Sequence, residues 1–535
     1  MLLGGGSMAE TTKIVIGVLI VLIIALGALA AYFATRAGVK TVTTTVTVTT
    51  TVTGTPVTTT TPPPTLKKIK ITIEYCEPHK DLFKPAIEEF KERAKELGYD
   101  VEIEEIMIPY GVDCAKRITE DLAAGTAGDI VEADSFMIAS YAEAGYLYPL
   151  NGFVKDWPDW EKFAPAMRKI VTYKGKIYGI MLDTDVRMIW YRKDIFKLAG
   201  LPEDWQPKTW DDILEAAKKL IDNKDKIMKE LGITEFYPIM IPAGLKWGEA
   251  TPCQGFYMLL VGADKEPLNR LYDYEKGKWI GKSTALWRAF KFYIEVYAKK
   301  YKGQTLGSPE YNLAADPWAV HRKTFSEGKV AMDIGGSWEF YEGWGPEGIA
   351  PLKKCLVKCG CDEKCTTDEQ KKCYLDCEWK IIGFAKMPGY KGGAEGERPF
   401  VTISGGWAVA INAKLKDNPE KLKLAWEFIK IVASRDIIAK YAAKYAKPAP
   451  RVDAIEVPEY AQDPYIKAIS EYIKFTDYRD ALADYPKVSR IIQEVTQLIL
   501  EGKITDPDQA LEEYCKRLKE ELGPDKVIEY PVTKT

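Results

Sequence analysis

The sequence predicts an α/β body carried behind an N-terminal apolar segment, and three observations predict it. Residues 14–33 (IVIGVLIVLIIALGALAAYF) run without a charge or a proline. Residues 41–65 are a threonine- and proline-rich tract that contains no charged residue. From residue 68 onward, short alternating strand patterns and amphipathic helix patterns succeed one another, as in a largely parallel sheet covered by helices.

The apolar run has about the 20 residues a helix needs to cross a hydrocarbon core. Residues 1–36 are therefore expected to form a transmembrane anchor. A cleaved signal segment is the rival reading, with Ala28, Ala30 and Ala31 as small residues for a cleavage site. The tract over 37–66 cannot bury a core, and reads as a disordered stalk. Extended at roughly 3.1 Å per residue it would reach on the order of 90 Å. A body on such a stalk is expected at the cell surface, extracytoplasmic and anchored in the cytoplasmic membrane.

Residues 68–75 (KIKITIEY) alternate apolar and polar side chains and read as a strand. Residues 83–98 follow as a helix with Phe83, Ile87, Phe90 and Ala94 on one face and Gly98 as its stop. A strand over 101–108, a helix over 113–124 and a strand over 129–133 continue the alternation. Thr209 is placed to cap a helix that begins at Trp210. The last third is helical over 419–433, 435–445, 464–475, 487–501 and 508–522. Pro507 and Gly523 punctuate the final helix.

Lys and Arg number 74 against 77 Asp and Glu, and the net charge of −3 gives no reason to expect a nucleic-acid partner. Two histidines, His79 and His321, are too few for histidine-rich metal sites or multi-histidine catalysis. No metal, cofactor or catalytic residue is expected. Residues 277–283 (GKWIGKS) approach a phosphate loop, but the glycine spacing is one residue short.

Six of the ten cysteines, Cys355, Cys359, Cys361, Cys365, Cys373 and Cys377, crowd one stretch. In an oxidising compartment they read as a disulfide-stapled insertion over 355–377. A zinc site is the rival, set back by the lack of C-x2-C pairs and of a nearby histidine. Cys76 and Cys114 lie in the same early region and are a candidate pair. Elimination then leaves Cys253 with Cys515.

Five segments resemble the extracellular solute-binding proteins of ABC importers, in the branch that binds sugars and includes maltodextrin receptors. They are residues 128–150 (GDIVEADSFMIASYAEAGYLYPL), 173–179 (YKGKIYG), 188–214 (MIWYRKDIFKLAGLPEDWQPKTWDDIL), 324–338 (TFSEGKVAMDIGGSW) and 404–428 (SGGWAVAINAKLKDNPEKLKLAWEF). They occur in the family's order. The cysteine-rich insertion and the stalk depart from its pattern.

The resemblance implies a two-lobed periplasmic-binding-protein-like fold with a hinge and a central cleft, and no enzyme activity. It implies one lobe over 66–184 and 329–403 carrying the insertion, a second over 185–328 and 404–522, and a tail over 523–535. Thr184, Gly328 and Ser404 are the expected crossings. It implies capture of a sugar or oligosaccharide outside the cell and delivery to ABC transporter permease subunits. Peptide, polyol or glycerol phosphate are alternative ligands, and a surface glycan-acting enzyme is the reading from another class.

Sugar binding calls for carboxylates that accept hydroxyl hydrogen bonds and for aromatic faces. Open α/β sheets present ligand loops at the C-terminal ends of their strands. Glu77 follows the first strand, and Asp134 and Ser135 follow the third. Asp185 precedes the passage into the second lobe. The resemblance marks Trp338 as a stacking tryptophan, and Trp247, Trp407 and Tyr485 lie in segments that would face the cleft.

Overall fold

The structure, a computed structural model, describes residues 66–109, 113–480 and 482–534. The apolar run and the threonine-rich tract lie outside the described residues. Among the described residues no helix is long and apolar enough to cross a membrane.

Two sheets organise the body. Their strands are β1 (Lys67–Cys76), β2 (Tyr99–Ile108), β3 (Ile130–Asp134), β4 (Ile180–Met181), β5 (Arg187–Arg192), β6 (Tyr237–Met240), β7 (Val330–Gly336), β8 (Ile382–Ala385) and β9 (Trp407–Ile411). The first sheet has the order β2-β1-β3-β9-β4 and the second β8-β5-β7-β6. β1 runs parallel to β2 and β3, whereas β9 returns antiparallel to β3 and β4.

The apolar pattern explains the first lobe. Ile71 and Ile73 of β1 are fully buried, as are Leu82, Phe83 and Phe90 of the helix Lys80–Glu96. Phe428, from the helix Pro419–Val432, stacks on Phe83 and meets the edge of Phe90. Gly98, at φ +88°, takes the left-handed turn that lets the chain enter β2. A disulfide from Cys76 to Cys114 joins the end of β1 to the helix Cys114–Ala124, whose first turn is capped by Asp113.

Sheet pairing divides the chain differently from the expected boundaries. β9 pairs with β3 from Trp407↔Asp134 to Ile411↔Ile130, and helices Pro419–Val432 and Arg435–Lys444 pack in the same core as β1. The stretch 407–461 therefore belongs to the first lobe. β7 and β8 both pair with β5, so 329–403 belongs to the second lobe. β9 (WAVAI) is apolar on both faces and suits the middle of either sheet, so its pattern does not select one.

The chain passes between sheets at 182–186 and 404–406. It passes again between Tyr460, in the first lobe's core, and Tyr465, which packs with Trp190. Gly328 is not a crossing. It is the left-handed cap of the helix Pro317–Glu327, against Arg192 within the second lobe.

The cysteine-rich insertion likewise stands on the second lobe. Disulfides 355–377 and 359–373 staple the helix Lys353–Lys358 to the helix Asp368–Ile381, and 361–365 closes the loop between them. Cys355, Tyr374 and Cys377 pack with Phe325 and Trp344. The expected pair of Cys253 and Cys515 does not form, and both are buried free thiols. Cys253 lies in the π-helical turn Thr251–Phe256, whereas Cys515 faces Gly281 of the strand Lys278–Lys282. An even cysteine count does not oblige every thiol to pair when burial alone suits two of them.

Candidate functional site

β3 ends where the two lobes meet, and delivers Asp134 and Ser135 to that junction. Arg479, from the returning segment, lies between the lobes. Its Nη2 is 3.1 Å from Ser135 Oγ and 3.4 Å from Asp134 Oδ1, and its Nη1 is 3.1 Å from Glu249 Oε1. Glu249 also accepts hydrogen bonds from Tyr485 Oη at 2.6 Å and Ser489 Oγ at 2.5 Å. Phe136 lies under the guanidinium and meets the edge of Tyr485. Burial pushes the Asp134 carboxyl up to about 7 although Arg479 pulls it down, while Glu249 adds to the rise.

A second arginine approaches from β5. Arg187 Nη1 pairs with Asp185 and also donates to the Ile403 carbonyl at 2.9 Å. Asp185 Oδ1 accepts the Gly405 amide at 2.7 Å. The Gly405 backbone lies close under both arginines: a Cβ there would stand 3.0 Å from Arg479 Nη2 and 3.1 Å from Arg187 Nη2. Two guanidinium groups thus converge on one crossing, balanced by carboxylates from both lobes.

Each lobe also contributes a tryptophan backed by a buried histidine–carboxylate cluster. In the first lobe, Trp407 lies half-buried at the start of β9, with its ring 5.5 Å from that of His79. His79 Nδ1 is 2.6 Å from Glu132 and its Nε2 3.6 Å from Asp183, while Lys447 Nζ is 2.7 Å from Asp183. Burial opposes protonation of His79, but Glu132 and Asp183 outweigh it and raise the imidazole to about 9. In the second lobe, Trp338 follows β7 and donates to Glu339 Oε1 at 2.8 Å. Arg322 grips Glu339 at 2.7 and 2.9 Å, and His321 Nδ1 lies 3.0 Å from Asp333 Oδ2. His321 is likewise raised to about 9 against its burial, here by Asp333 and Glu339.

The structure brings Asp134, Ser135, Asp185, Trp338 and Trp407 to the ends of the two sheets where the lobes meet. Glu77 is half-buried in the turn after β1, 3.6 Å from Lys80 Nζ. Trp247 and Tyr485 are buried, with their polar atoms engaged by Asn312 and Glu249. Sequence reasoning missed Arg479, Glu249, His79 and Lys447 at the site. No local motif marks Arg479 or Glu249, because their roles exist only once distant segments meet. For His79, its place two residues beyond Glu77, at the end of the first strand, is a usable signal.

Cys76, His79 and Glu132 bring ligand-type atoms within 4.8 Å of one another. The Cys76 sulfur is bound to Cys114, so no thiolate is present to hold a metal.

Two α/β sheets joined by crossing segments, with paired charges and indoles at the junction, define a two-lobed binding protein. The sequence profile of the bacterial extracellular solute-binding proteins matches residues 86–468, and the chain belongs to that family. It is 30% identical over 145 residues to a lactose-binding protein of Rhizobium radiobacter, covering 25% of this chain and 34% of the relative. It is 28% identical over 223 residues to a mannitol-binding protein of Pseudomonas aeruginosa, covering 42% and 45%. The chain therefore spans less than half the length of these relatives. Among solved structures, the tagatose-bound solute-binding protein of Thermotoga lettingae is 24% identical with a TM-score of 0.60, covering 85% of this chain and 99% of that one. The maltose-bound MalE3 of T. maritima is 22% identical with a TM-score of 0.61, covering 85% and 100%. These likenesses establish the fold.

Proposed function

We propose that this protein is an extracytoplasmic receptor that binds a sugar or oligosaccharide between its lobes and passes it to an ABC transporter permease. The observation that carries the reading is that Trp338 and Trp407 stand on different lobes at their junction, with Asp134 the sheet partner of Trp407 and the Asp185-paired Arg187 guanidinium 5.4 Å from the Trp338 ring. Indoles supply faces for the apolar sides of a sugar ring. Fixed carboxylates and a guanidinium supply oriented partners for its hydroxyls. Ser135 holds the Arg479 guanidinium beside Asp134, while Trp247 and Tyr485 brace the site from behind. The names of the relatives, lactose-binding and mannitol-binding, point the same way.

Binding proceeds by closure of the two lobes, with ligand contacts to both lobes favouring the closed state. It involves no covalent chemistry. The apolar run over 14–33 supports a membrane tether, a reading that rests on the sequence alone.

A thermal-shift screen of mono- and oligosaccharides, polyols, glycerol phosphate and amino acids on the full chain tests the proposal. A carbohydrate that raises the melting temperature in a saturable way is the expected result. A shift with amino acids or phosphate esters and none with any carbohydrate would overturn it. The second reading, a polyol receptor, is favoured by the mannitol-binding relative and predicts a shift with mannitol or sorbitol alone.

A further inference from the structure

The geometry points to Lys447 as a positioning residue for Trp407, acting through Asp183: the ammonium fixes the carboxylate from which the backbone of the tryptophan hangs. The inference rests on the sugar reading of the cleft, in which Trp407 offers its ring to the ligand. Lys447 itself touches no ligand in this account.

Trp407 is gripped at its backbone from both sides. Its N–H donates to Asp183 Oδ1 at 2.7 Å, and its carbonyl accepts from the Leu182 N–H at 2.8 Å. Both contacts come from the segment that passes between the sheets at 182–186. On its other edge Trp407 pairs with Asp134 of β3. The approach of Asp183 is close: Gly406 lies at φ +118°, and a Cβ there would stand 2.4 Å from the Asp183 carbonyl oxygen.

The carboxylate is gripped in turn. Lys447 Nζ lies 2.7 Å from Asp183 Oδ2, and His79 Nε2 lies 3.6 Å from the same oxygen. The lysine side chain is 11% exposed and the carboxylate 4%. Burial opposes the charge on Asp183, but Lys447 and His79 outweigh it and hold the carboxyl well below the usual carboxylate range. One oxygen thus serves the cations and the other serves the Trp407 amide. An amide bonded to an ionised carboxylate is held in the stronger class of hydrogen bond.

The backbone before Lys447 is turned to aim it. Ala446, two residues beyond the helix Arg435–Lys444, lies at φ +50°, a left-handed conformation uncommon for residues other than glycine. The Lys447 N–H then donates to the Ala442 carbonyl at 2.9 Å, and the ammonium stands 5.5 Å from the centre of the Tyr441 ring. A buried ion pair seldom gains much stability over the desolvation of its charges. What this pair does supply is a fixed direction for the start of β9.

The test is fluorine NMR of the full chain in detergent, labelled with 5-fluorotryptophan, together with calorimetric titration of lactose, maltotriose and mannitol. The resonance lost in Trp407→Phe is that of Trp407. Lys447→Met should displace or broaden it, and weaken binding of whichever probe the wild type binds by about three- to tenfold. Lys447→Arg should restore both. Phe90→Leu, a core change in the same lobe, should lower the melting temperature and move neither. A Trp407 resonance and an affinity unchanged in Lys447→Met overturn the inference and leave the cleft reading standing, as does an equal effect of Phe90→Leu. Should Lys447→Met not fold, Asp183→Asn takes its place, since it keeps an acceptor for the Trp407 amide and removes the charge that Lys447 holds; the same displacement is expected. If the wild type binds none of the probes, the receptor reading fails for those three, and the resonance alone decides whether Lys447 positions the ring.

Discussion

Arg479 and Glu249 form an ion pair at 3.1 Å, and the other guanidinium nitrogen of Arg479 reaches Asp134 on the opposite lobe. One side chain thereby ties the end of β3 to the second lobe. Arg479 is only 3% exposed, with Glu249 and Asp134 at 17% and 18%. Arg479→Ala would leave two largely buried carboxylates facing each other without their cation. The expected cost is about 3–5 kcal/mol, because removing one partner of a buried pair strands the others. Urea unfolding measures it. Adding Glu249→Gln to Arg479→Ala should recover part of the loss, since the pair acts as a unit. A double variant as unstable as the sum of the two single ones would show that Arg479 contributes through packing alone.

The two histidines predict an alkaline weakening of the fold. Each is raised to about 9 by two buried carboxylates, above its ordinary value of 6.5. A histidine whose folded pKa is raised stabilises the fold fully below about 6.5. That contribution is lost as pH rises through 9. Every group packed against His79 enters the balance: Glu132 and Asp183 favour its charge, Lys447 neutralises Asp183, and the Trp407 and Tyr441 rings enclose it. The melting temperature should fall between pH 7 and pH 9.5, with each histidine contributing on the order of 3 kcal/mol. His79→Gln should lower stability at pH 6 and shrink the fall. A melting temperature independent of pH across that range would contradict charged histidines.

The two tryptophans should separate binding from stability. Trp407 is half-buried and its indole nitrogen has no hydrogen-bond partner among the described residues, so Trp407→Ala should weaken carbohydrate affinity by about tenfold or more with a modest change in melting. Trp338 is 8% exposed, donates to Glu339 and lies 5.4 Å from the Arg187 guanidinium. Trp338→Ala should reduce affinity and also cost about 3–5 kcal/mol of stability. Paired titrations and urea melts distinguish the two behaviours.

Local elements were legible because local rules make them. Thr209 and Asp212 form a reciprocal capping box, and Gly98 and Gly523 stop helices where expected. Lobe membership was not legible, because β9 finds β3 over more than 270 residues of chain, and nothing in WAVAI names its partner. The site was half legible. Asp134 ends a strand and Trp338 follows one, both within recognisable segments, whereas Arg479 draws its role from Asp134, Ser135 and Glu249, all distant in sequence. Cysteine pairing was readable for Cys76 and Cys114, which share the early βα region; the six cysteines of 355–377 left their connectivity open, and the joining of Cys253 to Cys515 by counting failed.

Glu378 offers the last test, on the insertion itself. It is fully buried on the helix Asp368–Ile381, between the stapling Cys377 and Trp379, and neither carboxyl oxygen has a hydrogen-bond partner among the described residues. Burial alone raises its carboxyl well above the ordinary range. For an acid raised in this way, the protonated form suits the fold. The stabilising share is complete below about 4.5 and is lost as pH rises through the folded value. Glu378→Met keeps the length of the side chain and removes the polar group. It should therefore stabilise the protein at pH 8, by about 1–3 kcal/mol, and by less at pH 5. Urea midpoints of wild type and variant at the two pH values decide the matter. A variant less stable than wild type at pH 8 would show that the carboxyl is held by a partner after all.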